Sequence, residues 1–207
     1  MRSIYVVLIL VTALTAACSC SDEGASGDLR DMTVVFVGAS ITEAWDFGRY
    51  FPGYNFKKVI YFEADKTQAW DEVAAYDPDI VVVKECAAYF NAGGGTPLAE
   101  YENVMKAMVS LARNAGAVPV LATTIPVDVG VGDCTQEQLD DIIAFNGWVR
   151  NYCAQNGVAL MDYYNRIADD QGQLPSDCHG GDGLHPNDHG YAVLSPIVIP
   201  VLEGAKP

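Results

Sequence analysis

Five short apolar runs, rich in valine and isoleucine, recur along the chain. They occupy residues 33–37, 56–62, 80–83, 118–123 and 158–161. Runs in which most successive side chains are apolar are typical of strands that are buried on both faces of a parallel sheet. The pattern therefore predicts five such strands.

Between these runs, apolar residues repeat at helical spacing. The helical patterns cover residues 67–75, 97–115, 135–156 and 190–202. Gly116 and Gly157 end the second and third of them, and Pro196 and Pro200 make the last irregular. Strands and helices that alternate with short connections predict an α/β fold, a single three-layer α/β/α sandwich around a five-stranded parallel sheet.

The first 31 residues differ from the rest of the chain. Residues 4–17 are apolar and uncharged, which suits the core of a signal peptide and is too short to span a bilayer. The run ends at Ala17-Cys18, which fits ordinary cleavage or a bacterial lipoprotein site; a buried N-terminal helix is the remaining alternative. We favour the lipoprotein site, although Thr15 stands where leucine is usual.

Three segments follow from this interpretation. Residues 1–18 are a signal peptide, residues 19–31 a polar, Gly/Ser-rich flexible tether, and residues 32–207 the folded domain. We expect an extracytoplasmic protein, either secreted or periplasmic or attached to a membrane only through a lipid on Cys18.

Charge and cysteine content exclude some classes of function. The net charge is −15 and no cluster of lysine or arginine occurs, which argues against nucleic-acid binding. No CxxC pair with metal spacing is present. We expect a disulfide between Cys134 and Cys178, which lie in loop-like sequence, and buried free thiols at Cys86 and Cys153.

Ser40 follows the first predicted strand directly, in the sequence Val37-Gly38-Ala39-Ser40. This position is the carboxyl edge of a parallel sheet, where free N–H groups of a starting helix can stabilise an oxyanion. The two small residues permit a sharp exit from the strand. Taken alone, the pattern fits helix capping by Ser40 or Thr42 better than it fits a nucleophile.

A second polar group lies in the sequence Asp182-Gly183-Leu184-His185-Pro186. A serine hydroxyl needs a base at neutral pH, which a histidine supplies, and a nearby carboxylate can hold the tautomer of that histidine.

Two other interpretations of this group are a polar surface turn and a metal site. The metal site would use the three histidines of the chain, His179, His185 and His189. No other ligand spacing supports it. We expect neither a metal nor a cofactor.

Together, Gly38-Ala39-Ser40 and residues 182–186 resemble the first and last motif blocks of the SGNH/GDSL hydrolase family. Further similarity lies at residues 145–150, 156–158 and 160–164, and the resemblance covers most of residues 33–203. It implies a flavodoxin-like strand order 2-1-3-4-5. It also implies that Ser40 is the nucleophile, His185 the base, Asp182 the residue that orients the base, and the Ser40 N–H an oxyanion donor.

The second and third motif blocks of that family are not matched. The segment after the second strand has no glycine, so the main chain of Ala64 or Asp65 would have to donate in its place. The asparagine of the third block is replaced by alanine at residues 87–88, and Asn91 is the nearest substitute. The predicted oxyanion donors are therefore Ser40, Ala64 and Asn91.

Charged and aromatic side chains surround these positions in the sequence. Lys84 and Glu85 end the third strand, and we interpret them as a mutual ion pair rather than as functional charges. Aromatic residues form either a wall for sugar stacking or ordinary packing; they are Trp45, Tyr50, Tyr54, Tyr89 and Phe90.

The resemblance implies an exported esterase that removes an acetyl or other short acyl group through an acyl-enzyme. Its substrate would be a small-molecule or polysaccharide ester. An O-acyltransferase with the same triad is one alternative. A non-catalytic carbohydrate-binding or surface protein with a decayed site is another, which residues 87–88 favour and the intact Ser/His/Asp set opposes.

Overall fold

The predicted strands form one parallel sheet in the order β2-β1-β3-β4-β5, so the predicted fold class and strand order are confirmed. The structure is a computed structural model that describes residues 27–86, 90 and 95–207. Its strands are β1 (Thr33–Gly38), β2 (Asn55–Ile60), β3 (Ile80–Lys84), β4 (Val118–Ala122) and β5 (Ala159–Met161). The predicted signal peptide, including Cys18, lies outside the described residues.

The helices follow the predicted patterns with shifted ends. They are α1 (Ser40–Ala44), α2 (Phe47–Tyr50), α3 (Trp70–Ala74), α4 (Leu98–Asn114), α5 (Gln136–Asn156), α6 (Tyr163–Ile167), α7 (Asp188–Leu194) and α8 (Val198–Ala205). A 3-10 turn at Lys66–Ala69 precedes α3, and another at Ser195–Ile197 separates α7 from α8. Pro196 lies in that second turn, because its missing N–H and fixed φ disfavour a continuous α-helix.

Each face of the sheet packs against its own layer of helices. Val35 and Val37 of β1 join the core that contains α4 and α5, whereas Val34 and Phe36 join the core that contains α7 and α8. Alternate side chains of a strand point to opposite faces, so β1 is apolar at nearly every position. The loops at the carboxyl ends of the strands remain available for a site.

The described packing includes residues that precede the predicted domain boundary at residue 32. Leu29 is fully buried and lies in a 3-10 turn, Leu29–Asp31, within the segment assigned to the flexible tether. Lys206 near the other end donates a hydrogen bond to the Gly27 carbonyl. In the described part of the chain, no helix is both long and apolar enough to cross a membrane.

The four cysteines of the described residues are free and buried. The expected disulfide between Cys134 and Cys178 is therefore wrong. The two residues belong to different core layers, Cys134 to the layer with α5 and Cys178 to the layer with α7. The free thiols expected at Cys86 and Cys153 are confirmed.

Candidate active site

Ser40 is the first residue of α1, immediately beyond the carboxyl end of β1. The N-cap position is taken by Ala39, whose side chain makes no capping hydrogen bond, so capping by Ser40 or Thr42 is not what the structure shows. A Cβ on Gly38 would overlap the side chain of Thr42. The first turn of α1 can therefore fold back on the strand only because residue 38 is glycine.

Three predicted side chains form a continuous chain of hydrogen bonds at this position. The Ser40 hydroxyl lies 2.9 Å from His185 Nε2, and His185 Nδ1 lies 2.7 Å from Asp182 Oδ2. With the proton of the neutral ring on Nδ1, the imidazole donates to the carboxylate and accepts from the hydroxyl. The side chains of His185 and Asp182 are 40% and 50% exposed, so a substrate can reach them from solvent.

The Asp182 carboxylate is held in its ionised form. Burial alone would raise its pKa, but hydrogen bonds from the main-chain N–H groups of His185 and Leu184, and from the His185 ring, together lower the pKa to about 2. These N–H groups lie 2.9 and 3.0 Å from Oδ1, which leaves Oδ2 for the imidazole. A carboxylate that stays charged at neutral pH can stabilise the imidazolium that forms when His185 takes a proton.

The turn between these two residues depends on Gly183. Its φ of +74° is a conformation that residues with a side chain rarely adopt. A Cβ there would also lie 2.9 Å from the carbonyl oxygens of both Asp128 and Val131. The main chain of Asp128 also holds the turn in place, because its N–H donates to the Gly183 carbonyl over 2.8 Å.

A second aspartate–histidine pair, which the sequence did not reveal, lies behind this turn. His179 Nδ1 accepts hydrogen bonds from the N–H groups of Gly181 and Gly183, at 3.0 and 3.2 Å. Its proton is therefore on Nε2, which donates to Asp128 Oδ2 over 2.9 Å. His179 is buried and fixes the main chain on both sides of Asp182. We call residues 178–187 the acid–base loop.

The three histidines do not share a metal site in the described residues. His179 faces Asp128, His185 faces Asp182, and His189 lies 3.6 Å from Asp177. The one described group of donors that could hold a cation is Asp177, Cys178 and His189, whose ligand atoms lie within 4.8 Å of one another. Its aspartate and histidine are exposed, and the 3.6 Å contact between them needs no metal ion to explain it.

Of the three predicted oxyanion donors, Ser40 and Ala64 lie in the described part of the chain. The Ser40 N–H is at the start of α1, where main-chain N–H groups have no partner within the helix. Ala64 is half-buried in the loop between β2 and the turn Lys66–Ala69, at the same edge of the sheet. Asn91 and the alanines at residues 87–88 lie outside the described residues.

The expected ion pair between Lys84 and Glu85 is not formed. Lys84 Nζ instead donates to the main-chain oxygen of Glu85 over 3.1 Å. The Glu85 carboxylate faces Lys66, whose Nζ lies 3.3 Å from Oε2, and both side chains are fully buried. A contact between residues 19 positions apart leaves no local pattern, so the sequence did not indicate Lys66 as the partner of Glu85.

Two members of the expected aromatic wall are core residues. Trp45 is 3% exposed, packs against Phe51 and Tyr191, and donates from Nε1 to Ser195 Oγ. Phe90 is fully buried against other rings of the core. Neither ring can stack on a sugar. Tyr50 and Tyr54 are half-buried beside the same core, and Tyr89 lies outside the described residues.

Comparison with protein families gives a match over most of the chain. The sequence model of the GDSL-like Lipase/Acylhydrolase family matches residues 36–193, a span that includes Ser40, Asp182 and His185. Among curated proteins, no sequence matches the chain.

Solved structures with the same fold include several esterases and lipases. A GDSL-like lipase from Bacteroides thetaiotaomicron has a TM-score of 0.75 at 19% identity, over 87% of this chain and 92% of that one. An acetylxylan esterase from Geobacillus stearothermophilus has a TM-score of 0.65 at 15% identity, over 83% and 94%. An α/β hydrolase from the metagenome of Lake Arreo, Spain, has a TM-score of 0.63 at 17% identity, over 86% and 99%.

Proposed function

Since the chain belongs to the GDSL-like lipase/acylhydrolase family and is an ester-hydrolysing enzyme, we propose that it works through Ser40, His185 and Asp182 with an acyl-enzyme intermediate. The observation that carries the proposal is the unbroken Ser40–His185–Asp182 hydrogen-bond chain. It joins residues 145 positions apart in sequence at the carboxyl edge of the sheet.

The reaction follows from this geometry. His185 Nε2 takes the hydroxyl proton while Ser40 Oγ attacks the acyl carbon, and the resulting imidazolium is stabilised by Asp182. The tetrahedral intermediate collapses as His185 returns the proton to the leaving alcohol. Water then enters, His185 takes a proton from it, and the carboxylic acid is released as Ser40 regains its hydrogen.

The substrate class proposed is an acetyl or other short acyl ester, carried by a small molecule or a carbohydrate. The family acts on acyl esters, and one of the proteins that share the fold is named for acetylxylan. Acetate release from acetylated xylan, and turnover of p-nitrophenyl esters of increasing chain length, test this point. Faster turnover of long-chain than of short-chain esters would contradict it.

We also propose an extracytoplasmic location, on the basis of the apolar residues 4–17 and the Ala17-Cys18 junction. Cell fractionation of the full chain tests the location. Recovery of the protein only from the cytoplasm, with its N-terminus uncleaved, would contradict it.

Hydrolysis of p-nitrophenyl acetate tests the nucleophile. Ser40→Ala removes the attacking oxygen, so we expect turnover to fall to the background rate. Ser110→Ala is the matched control, because Ser110 is exposed on α4 and its hydroxyl donates to the Lys106 carbonyl of the same helix. A Ser40→Ala protein that keeps the rate of wild type would overturn the proposal.

A further inference from the structure

A buried group of charged side chains lies beyond the ends of β2 and β3, and the hydrolytic mechanism does not use it directly. Lys66 and Glu85 are fully buried and Lys84 is 5% exposed. Burying a charge is costly, and replacing a buried ion pair by apolar residues of similar size is often neutral or stabilising. A fully buried pair that joins two loops beside a catalytic serine therefore needs a reason other than stability.

The contacts of this group fix two stretches of main chain to each other. Lys66 Nζ donates to the Glu63 carbonyl over 2.6 Å and pairs with the Glu85 carboxylate. The main-chain oxygen of Glu85 accepts in turn from Lys84 Nζ and from Thr124 Oγ1, at 3.1 and 3.3 Å. The segment that carries Ala64 is thus tied through Lys66 to the ends of β3 and β4.

The strand that carries the nucleophile lies between the two joined segments. In the sheet, Gly38 of β1 pairs with Ile60 of β2, and Val37 pairs with Val83 of β3. The chain leaving β2 stays at this edge, since the Tyr61 N–H donates to the Gly38 carbonyl over 2.8 Å. The Lys66–Glu85 pair therefore connects the segments that leave the two neighbours of β1.

Neither carboxylate oxygen of Glu85 accepts a well-aligned hydrogen bond from a described residue, so Lys66 is its principal compensating charge there. Two lysines and one glutamate make up the group.

We propose that Lys66 and Glu85 are positioning residues for the oxyanion, which hold the main chain around Ala64 where its N–H can stabilise the acyl oxygen of an ester attacked by Ser40. The inference rests on the proposed hydrolytic function. It also explains how this chain works without the glycine and asparagine that the second and third motif blocks of its family provide.

The double variant Lys66→Met/Glu85→Leu tests the proposal. It replaces both charges by apolar side chains of similar size, so we expect it to fold with a Tm at or above that of wild type. The variant loses the hydrogen bond from Lys66 to the Glu63 carbonyl, so the main chain around Ala64 is no longer held in place. We expect kcat for p-nitrophenyl acetate to fall at least about tenfold while KM changes less than about threefold, because oxyanion stabilisation acts in the transition state and not in substrate binding.

Lys206→Met/Glu203→Leu is the matched control, since it removes an ion pair near the C-terminus and should keep the kcat of wild type. A folded Lys66→Met/Glu85→Leu protein with unchanged kcat overturns the inference and leaves the proposed function intact. A wild type that hydrolyses no ester overturns both.

If the double variant does not fold, Glu85→Gln decides the question. It keeps the shape of the side chain and the Lys66–Glu63 hydrogen bond but removes the paired charge, so kcat should fall by about threefold or more without a change in KM. An unchanged kcat in a folded Glu85→Gln protein would overturn the inference.

Discussion

Two regions near the carboxyl edge of the sheet are held in different ways. The acid–base loop is held by hydrogen bonds between neighbouring main-chain and side-chain groups, whereas the segments that follow β2 and β3 are held to each other by a buried ion pair. In the loop, Asp182 and His179 each accept two main-chain N–H groups. After the ends of β2 and β3, Lys66 and Glu85 meet with both side chains fully buried.

Under the proposed mechanism, the two regions meet different demands. Proton transfer needs fixed distances between His185, Ser40 and Asp182, which short turns and directional hydrogen bonds provide. Oxyanion stabilisation needs only correctly placed N–H groups, and main-chain donors place few demands on side-chain identity. The second region can therefore lose its usual motif residues while the first keeps them.

The largest effect is expected in the acid–base loop, from Asp182→Asn. An asparagine amide can donate to His185 Nδ1 and so favour the wrong tautomer, which in other Ser-His-Asp enzymes lowers kcat on the order of 10⁴-fold. Asp177→Asn is the control, since this exposed carboxylate in the segment before the loop pairs with His189. Steady-state kinetics with p-nitrophenyl acetate should separate the two, and equal losses would contradict the assigned roles.

A smaller effect is expected when the loop is displaced without loss of a catalytic group. Gly183→Ala adds a Cβ 2.9 Å from two carbonyl oxygens at a φ of +74°, so the loop must shift. A displacement of about 1 Å can cost on the order of 10² in kcat. Gly180→Ala is the control, because a Cβ there meets nothing within 4 Å. If both variants keep the kcat of wild type, the loop is not as rigid as its contacts indicate.

The smallest effect concerns stability, and the two regions should respond to pH in opposite directions. Burial raises the pKa of Glu85 from 4.5 to about 7, with Lys66 opposing the shift, so its stabilising contribution is full below about pH 4.5 and is lost as the pH rises through about 7. Asp182, whose pKa is lowered to about 2, contributes above its ordinary value of 3.8 and loses that contribution as the pH falls.

Denaturant unfolding at pH 5 and pH 8 measures the Glu85 contribution. The free energy of unfolding of wild type, relative to Glu85→Gln, should decrease by about 2 kcal/mol between these values. Glu203→Gln, which changes an exposed carboxylate, should follow wild type. If Glu85→Gln parallels wild type across this range, Glu85 does not titrate there.

The features that could be predicted from sequence are those with a local pattern. Ser40 follows a buried strand directly, Asp182 stands three residues before His185, and the resemblance of these two segments to known motif blocks implied their roles. The five apolar runs predicted five buried strands in the same local way, whereas the resemblance implied their order.

The features that were missed depend on long-range contacts. Asp128 and His179 meet across 51 residues of sequence, and nothing near either one indicates the other. Burial decided the alternative left open for Trp45, which lies in the core and cannot stack on sugars. Cys134 was expected to pair with Cys178 but lies in the other core layer.

Covalent labelling of Ser40 tests the central claim most directly. Wild type is incubated with a fluorophosphonate probe, digested, and analysed by mass spectrometry for the modified peptide. The account predicts a phosphonylated Ser40 in wild type and no modified peptide in Ser40→Ala. A folded wild type that remains unlabelled, or a label on another residue with Ser40 unmodified, would contradict it.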